Sequence, residues 1–510
     1  MPAISLGEGL SADDLLAAVA KPPAIKLGKD ARARMKRSRA VITKLVAGDE
    51  AVYGVNTGFG ALARTRIASS GVHRLQRNLL LSHAVGTGPD LSEIEKRLAL
   101  LLKMEALANG FSGVRIGVVQ WLMKMYRSGW LPRVPSQGSV GASGDLAPLA
   151  HLALPIIGAG EMVSPEGRII STRRALARIG LKPMQLEAKD GLALVNGMEI
   201  TNAMGLHAWA RLLNASRTAD AVGALAVEGL MASHSPFDSR VFRLRPHPGA
   251  KKAAANLRKM LEDSDVAQSH IDCDRVQDPY SFRCMPQVHG AAKDAVAHLG
   301  GVLVREAGSV TDNPLVFGGS RPVVSAGNFH GQPLAIPLDQ AAVAVCAWGN
   351  ISERRIATLV NPSMSGLPAF LTPKPGLNSG LMMAQVTAAA LASENKGLAH
   401  PASADTIPTD NDQEDHVSMA PIAARKLHRA IDNLEGIQAV ELHAAAQARE
   451  FNSDLRAGKG AEAVYRLVRR NLPPLGNDRY MAPEFERLRE LVASGAVVVA
   501  AEKAVGELDA

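Results

Sequence analysis

Cysteine is scarce: the 510-residue chain holds three, Cys273, Cys284 and Cys346. An odd count without zinc-like spacing excludes a disulfide framework and a cysteine metal centre, so each reads as a reduced, packed thiol. Aromatic residues make up only 4% of the sequence, which, beside abundant Ala and Leu, favours helix over strand. No unbroken run of about 18 apolar residues occurs, as a membrane span would need. The N-terminus also lacks the basic-then-apolar pattern of an export signal. The expectation is a soluble, cytoplasmic protein with no membrane partner. The net charge of +8 comes partly from Lys21 to Arg39 and from Arg466, Arg469 and Arg470. Neither aromatic interleaving nor a recognised module accompanies it, so nucleic acid is excluded as a partner and these charges read as solvated helix faces, with a modest pull on anionic substrates. Internal repeats and low-complexity tracts are missing too.

Glycine and serine, by contrast, are concentrated in one place. Five of the seven residues in Gly138-Ser139-Val140-Gly141-Ala142-Ser143-Gly144 are Gly or Ser. The stretch lies between Pro132/Pro135 and the largely apolar run Leu149 to Ile157, so a tight backbone feature is held against a core. Attack of the Gly144 nitrogen on the Ala142 carbonyl carbon, followed by loss of water including the Ser143 hydroxyl, would close a five-membered ring carrying an exocyclic methylidene. That ring is an electrophile, which no common side chain is, and a reaction that expels an amine needs one. A Gly-rich loop also makes turns or cradles phosphate, so the tripeptide alone leaves both readings open.

The length is ample for a large buried core in one elongated subunit or two to three domains. Ser11-Ala12-Asp13-Asp14 offers an N-cap before Leu15 to Val19. Tyr53-Gly54-Val55-Asn56-Thr57-Gly58-Phe59-Gly60 reads as a mobile loop. A helix is expected from Val72 to His83, and another from the capping box Ser92/Glu95 to the stop at Asn109-Gly110. Ser164-Pro165-Glu166-Gly167 suggests a minor hairpin turn. Long helices apolar on several faces follow at 198–234, 249–263, 284–308, 332–359, 378–399 and 419–450. The expected organisation is an N-terminal lobe over 1–200, a bundle of long central helices over 201–450 and a peripheral helical tail over 451–510.

The longer string Gly141-Ala142-Ser143-Gly144-Asp145-Leu146-Ala147-Pro148-Leu149-Ala150-His151 resembles the signature of the aromatic amino acid ammonia-lyases, and six further motifs in order extend the resemblance from about residue 50 to 450. It implies a mainly α fold, a long central helical bundle of the ammonia-lyase/fumarase-like type whose N-terminal lobe carries the electrophilic loop. It implies a 4-methylidene-imidazol-5-one formed from Ala142, Ser143 and Gly144, with no metal or diffusible cofactor, and a homotetramer with shared active sites. Asp145, Asn313 and Phe329 are expected to support ring formation.

The same resemblance distributes the remaining roles. Tyr53, otherwise a half-buried anchor, matches the base that removes the substrate β-proton once its pKa is lowered. Asn196 contacts substrate and ring, Tyr280 sits beside the ring and leaving amine, and Gln277, Arg283 and Phe329 bind substrate, with the Arg283 fork suited to a carboxylate. Ser82-His83 is the pattern of the histidine-acting members, where His83 and Glu414 would address an imidazole. The expected reaction is therefore removal of ammonia from L-histidine to give trans-urocanate, captured through the amine or alternatively the imidazole. Met198-Glu199 replaces Thr-Gln, Met285 replaces Gln and Gly331-Gln332 replaces Ala-Glu, leaving room for an ammonia-lyase or aminomutase acting on tyrosine or phenylalanine. Glu199 is expected as an extra carboxylate beside the site. Outside the family, a fumarase-like lyase with a serine base and a non-catalytic helical scaffold are the alternatives.

Overall fold

The computed structural model describes residues 3–48, 52–270 and 276–510; Cys273 lies outside them. Helix dominates, and the helix boundaries follow local sequence signals. The Ser11 hydroxyl accepts from the Asp14 amide at 3.1 Å and the Asp14 carboxylate accepts from the Ser11 amide at 3.1 Å, opening the helix Ala12–Ala20. The same reciprocal box joins Ser92 and Glu95 (3.3 and 2.9 Å) at the start of Glu93–Ala108. Such caps contribute about 1 kcal/mol each by satisfying amides that have no intrahelical partner.

By compactness the chain forms two units. The first comprises Met1–His207, Gly300–Leu338 and Pro401–Arg425, and the second Ala208–Leu299, Asp339–His400 and Lys426–Ala510. Neither is one stretch of chain, in contrast to the consecutive segments expected from sequence.

In the first unit, every residue from Leu98 to Ala108 is buried, including Lys103 and Glu105. Glu105 is satisfied by the Gly7 and Gly9 amides at 2.8 and 3.0 Å. The expected hairpin is present as Glu161–Val163 antiparallel to Ile169–Ser171, with Leu131–Pro132 as a third strand. Its Gly167 takes φ 80°, a left-handed conformation that favours glycine.

In the second unit the long helix beginning at Glu199 stops at Leu230, where Met231 turns left-handed (φ 56°). Met382–Leu398 starts later than expected because the Asp478 carboxylate accepts from the Ser379 and Gly380 amides (2.7 and 2.9 Å) and holds that segment as a turn. The C-terminal helices are not peripheral. Ala461, Val464 and Val468, spaced on one face of Lys459–Asn471, join Leu488, Val492 and Val497 in the core with Leu225, Leu442 and Ala445.

Among the described residues, Gln332–Val360 is long and apolar enough to cross a membrane, but 67% of its apolar window is buried inside the protein. Cys284 and Cys346 are free and half-buried, with the Cys346 thiol directed at the Asn395 carbonyl (3.2 Å).

Candidate active site

The glycine-rich loop is gripped from two sides within the first unit. On one side the Met419 amide donates to the Val140 carbonyl (2.8 Å) and the Ser418 hydroxyl to the Gly141 carbonyl (3.0 Å). Ala142 is buried with Val417 and Met419. On the other side Asn196 Nδ2 donates to the Ser143 carbonyl (2.9 Å), and the Asp145 amide donates to the Gly197 carbonyl (2.7 Å). Gly144 takes φ 82°, and a Cβ there would stand 2.1 Å from the Gly197 oxygen. Only glycine satisfies both the left-handed backbone and that approach.

Ser143 faces open space. Its hydroxyl donates to Glu414 Oε1 at 2.6 Å, while Glu414 Oε2 accepts from the Thr409 hydroxyl at 2.7 Å. Two adjoining cavities meet at this point, of about 420 and 350 Å³. Both are lined by Tyr53, Gly60, Ser143, Asn196, Asp410 and Glu414. The first extends over Leu75, Leu79, Ser82 and His83 of the helix Val72–His83, and the second reaches Asn313, Phe329 and His330. Leu192 and Val195, from the short helix Asp190–Val195, contribute an apolar wall.

Burial sets the electrostatics. It raises the Tyr53 phenol above its usual value; the Gly60 amide donating to the Tyr53 oxygen (3.3 Å) opposes this, and the carboxylates of Asp410 and Glu414 reinforce it. The lowered Tyr53 pKa expected from sequence is thus reversed in the single chain, because burial first and the nearby carboxylates second disfavour the phenolate. His83 is lowered by burial, which favours the neutral imidazole, and its Nδ1 lies 3.0 Å from the Ser82 hydroxyl. Asp145 is fully buried, accepts from the Thr201 amide and hydroxyl (both 2.7 Å), and is pushed up to about 7 by burial despite those bonds. Asn196 Oδ1 is buried and has no partner among the described residues, leaving an acceptor where the cavities meet.

Tyr53, His83, Ser143, Asn196 and Glu414 therefore line one cavity, and Asn313 and Phe329 its neighbour. Asn313 acts within its own segment, accepting from the Ala326 amide at 2.7 Å. Gln277, Tyr280 and Arg283 belong to the second unit, where Arg283 donates to Gln277 Oε1 and stacks over the Tyr280 ring at 5.5 Å. Tyr280 is 74% exposed. Glu199 does not line either cavity: it is buried and paired with Lys103 at 2.9 Å, and its neighbour Met198 is buried as well. The expectation of an extra carboxylate beside the site is corrected, since this side chain at the start of its helix turns inward and neutralises the buried Lys103. Met285 is a buried core residue of the second unit, and Gln332 Nε2 donates to the Ser403 carbonyl (3.4 Å).

Asp410 escaped the sequence reading. It lines both cavities and accepts from the Ala61 amide at 3.0 Å, tying the Tyr53 loop to the 409–414 turn. Asp410, Asn411 and Asp412 all take positive φ. The Asp-Asn-Asp string after a proline was the available signal, for these residues tolerate the left-handed region.

A family model described as aromatic amino acid lyase matches residues 10–470. The chain is 49% identical to histidine ammonia-lyase of Sorangium cellulosum, covering 99% of this chain and 100% of that one. It is 47% identical to histidine ammonia-lyase of Myxococcus xanthus, covering 98% of each. Among solved structures it resembles histidine ammonia-lyase from Trypanosoma cruzi (TM-score 0.91, 41% identity, 99% and 96% coverage). It also resembles tyrosine aminomutase from Streptomyces globisporus (TM-score 0.93, 34% identity, 99% and 100% coverage).

Proposed function

The chain belongs to the aromatic amino acid lyase family, and from that premise we propose that it is a carbon–nitrogen lyase removing ammonia non-oxidatively from L-histidine to give trans-urocanate. The observation that carries the reading is the convergence of Tyr53, His83, Ser143, Asn196 and Glu414 on one cavity.

Residues 142–144 fit a 4-methylidene-imidazol-5-one. Gly144 already has the backbone that a side chain would forbid, Ala142 is packed, and Ser143, whose Cβ would become the methylidene, faces the cavity. That group supplies electron deficiency that loosens the C–N bond of an otherwise poor leaving amine.

The chain's own residues do the rest. Tyr53 takes the β-proton. Because burial and two carboxylates hold its phenol protonated, it needs a cation beside it, which the substrate ammonium and the Arg283 guanidinium provide. His83, kept neutral by burial, donates from one ring nitrogen or accepts at the other, and so matches a substrate imidazole. Glu414 orients that ring or takes a proton. Asn196 Oδ1 accepts from the amine, and Arg283 grips the α-carboxylate through its fork. We propose a cytoplasmic homotetramer with shared sites, in which the exposed Gln277 and Tyr280 and the half-buried Arg283 meet the cavity of a neighbouring copy. In support, Val343, Met383 and Val386 expose apolar side chains on the single chain.

Purified protein incubated with histidine, tyrosine and phenylalanine in turn should form a new conjugated ultraviolet absorber from histidine. Peptide mapping across 135–151 should show a deficit of two waters. Turnover of tyrosine or phenylalanine in preference to histidine would overturn the substrate assignment, and an intact peptide in active protein would overturn the chemistry.

A further inference from the structure

Lys103 lies deep in the helix Glu93–Ala108, with its side chain 2% exposed. Its ammonium has three partners: Glu199 Oε1 at 2.9 Å, the Asn196 carbonyl at 2.9 Å and the Ala193 carbonyl at 3.2 Å. Three acceptors saturate an ammonium. Both carbonyls stand at the C-terminal end of Asp190–Val195, where helix geometry leaves them without intrahelical donors.

The stretch that Lys103 anchors from behind grips the glycine-rich loop from in front. The Asn196 carbonyl is held by Lys103, while its side-chain amide donates to the Ser143 carbonyl. The next residue, Gly197, accepts from the Asp145 amide and lies against Gly144 with no room for a Cβ between them. Lys103 thus holds one clamp on the tripeptide, Asn196, directly and stands one residue from the other, Gly197, while its ammonium is bonded to Asn196, Ala193 and Glu199 rather than to the tripeptide.

We propose that Lys103 is a positioning residue for ring closure at residues 142–144, acting through Asn196 and Gly197. The proposal rests on the reading that these residues cyclise. In that closure the Gly144 nitrogen bonds to the Ala142 carbonyl carbon, and its amide proton passes to the carbonyl oxygen. That oxygen leaves as the first water with the Ser143 amide proton, and the Ser143 hydroxyl leaves with the Ser143 Cα proton as the second. Closure needs the Ser143 carbonyl and the Asp145 amide held still while the two reacting atoms approach, because small displacements are costly in rate. Glu199 then has a reason to be where it is. A lone buried cation is strongly disfavoured, and the Glu199 carboxylate neutralises Lys103 inside the protein. This accounts for Glu199 in the departure Met198-Glu199 by the anchoring of the loop rather than by substrate choice.

Three variants separate this role from plain core stability: Lys103→Met, the neutral pair Lys103→Met/Glu199→Gln, and Lys103→Arg. For each, the folded full-length protein is isolated at set times after synthesis. Its unfolding midpoint and the fraction of the 135–151 peptide lacking two waters are then measured. The wild type should be fully cyclised, the two Met variants should accumulate the deficit about tenfold more slowly or worse, and Arg should restore most of the rate. The neutral pair carries the test if Lys103→Met alone does not fold, since it leaves no buried charge unpaired. A purely structural Lys103 would lower the midpoint and leave every folded molecule cyclised as fast as the wild type. That outcome in the neutral pair overturns the proposal. A wild-type peptide with no deficit overturns the cyclisation reading itself, and this proposal with it.

Discussion

Replacing Asp145 with Asn should make the folded chain more stable at alkaline pH while slowing closure of the loop beside it. In the folded protein burial holds the Asp145 carboxyl at about 7 against a usual 3.8. Between those values the native state keeps a proton that the unfolded chain has released. The contribution of Asp145 to stability is therefore greatest below pH 3.8, falls as pH rises, and levels off above about 7. At 1.36 kcal/mol per pKa unit the whole span amounts to about 4 kcal/mol, of which about 3 is expressed between pH 5 and 8. Asn carries no such proton. It keeps an acceptor for the Thr201 amide and forgoes the second carboxylate oxygen, a pH-independent offset of about 1 kcal/mol. The assay is the denaturant midpoint of wild type and Asp145→Asn at unit steps from pH 5 to 9, with slopes compared. The gap should move in favour of the variant by about 3 kcal/mol across pH 5 to 8. A gap that stays flat would mean that Asp145 is ionised throughout and that neighbours such as Lys103 fully offset its burial, refuting the argument.

Ser143→Ala should leave the chain folded and assembled yet reduce turnover by several orders of magnitude, as loss of the electrophile demands; unchanged turnover of histidine contradicts the assignment. His83→Leu should lower kcat/KM for histidine by roughly 1.5 to 3 kcal/mol with little change in the unfolding midpoint, and equal losses in both would return His83 to a packing role. Arg283→Gln should cost a similar amount, mainly as a raised KM, whereas Arg283→Lys, keeping the charge without the fork, should recover only part of it.

What the linear sequence determined is everything carried by local pattern. Reciprocal caps at Ser11 and Ser92 set where helices begin, because the hydrogen bonds that start them join residues three apart. The hairpin at 164–167 and the left-handed glycine at 144 follow from chain geometry that few residue types allow. The resemblance of Gly141 to His151 placed the electrophilic loop, and with six other motifs it named Tyr53, His83, Asn196 and Glu414, which converge on one cavity. Only the tertiary structure decided the properties that depend on neighbours distant in sequence. The Tyr53 phenol is raised chiefly because the fold buries it, and further because Asp410 and Glu414, more than 350 residues on by numbering, stand near it. Glu199 is turned away from the cavity because Lys103, on another helix, is there to neutralise it. The last helices belong to a core because their apolar faces meet Leu225 and Leu442, which no local period reveals. Burial and charge are sums over space, and a sequence read along one dimension supplies the residues of those sums without their distances.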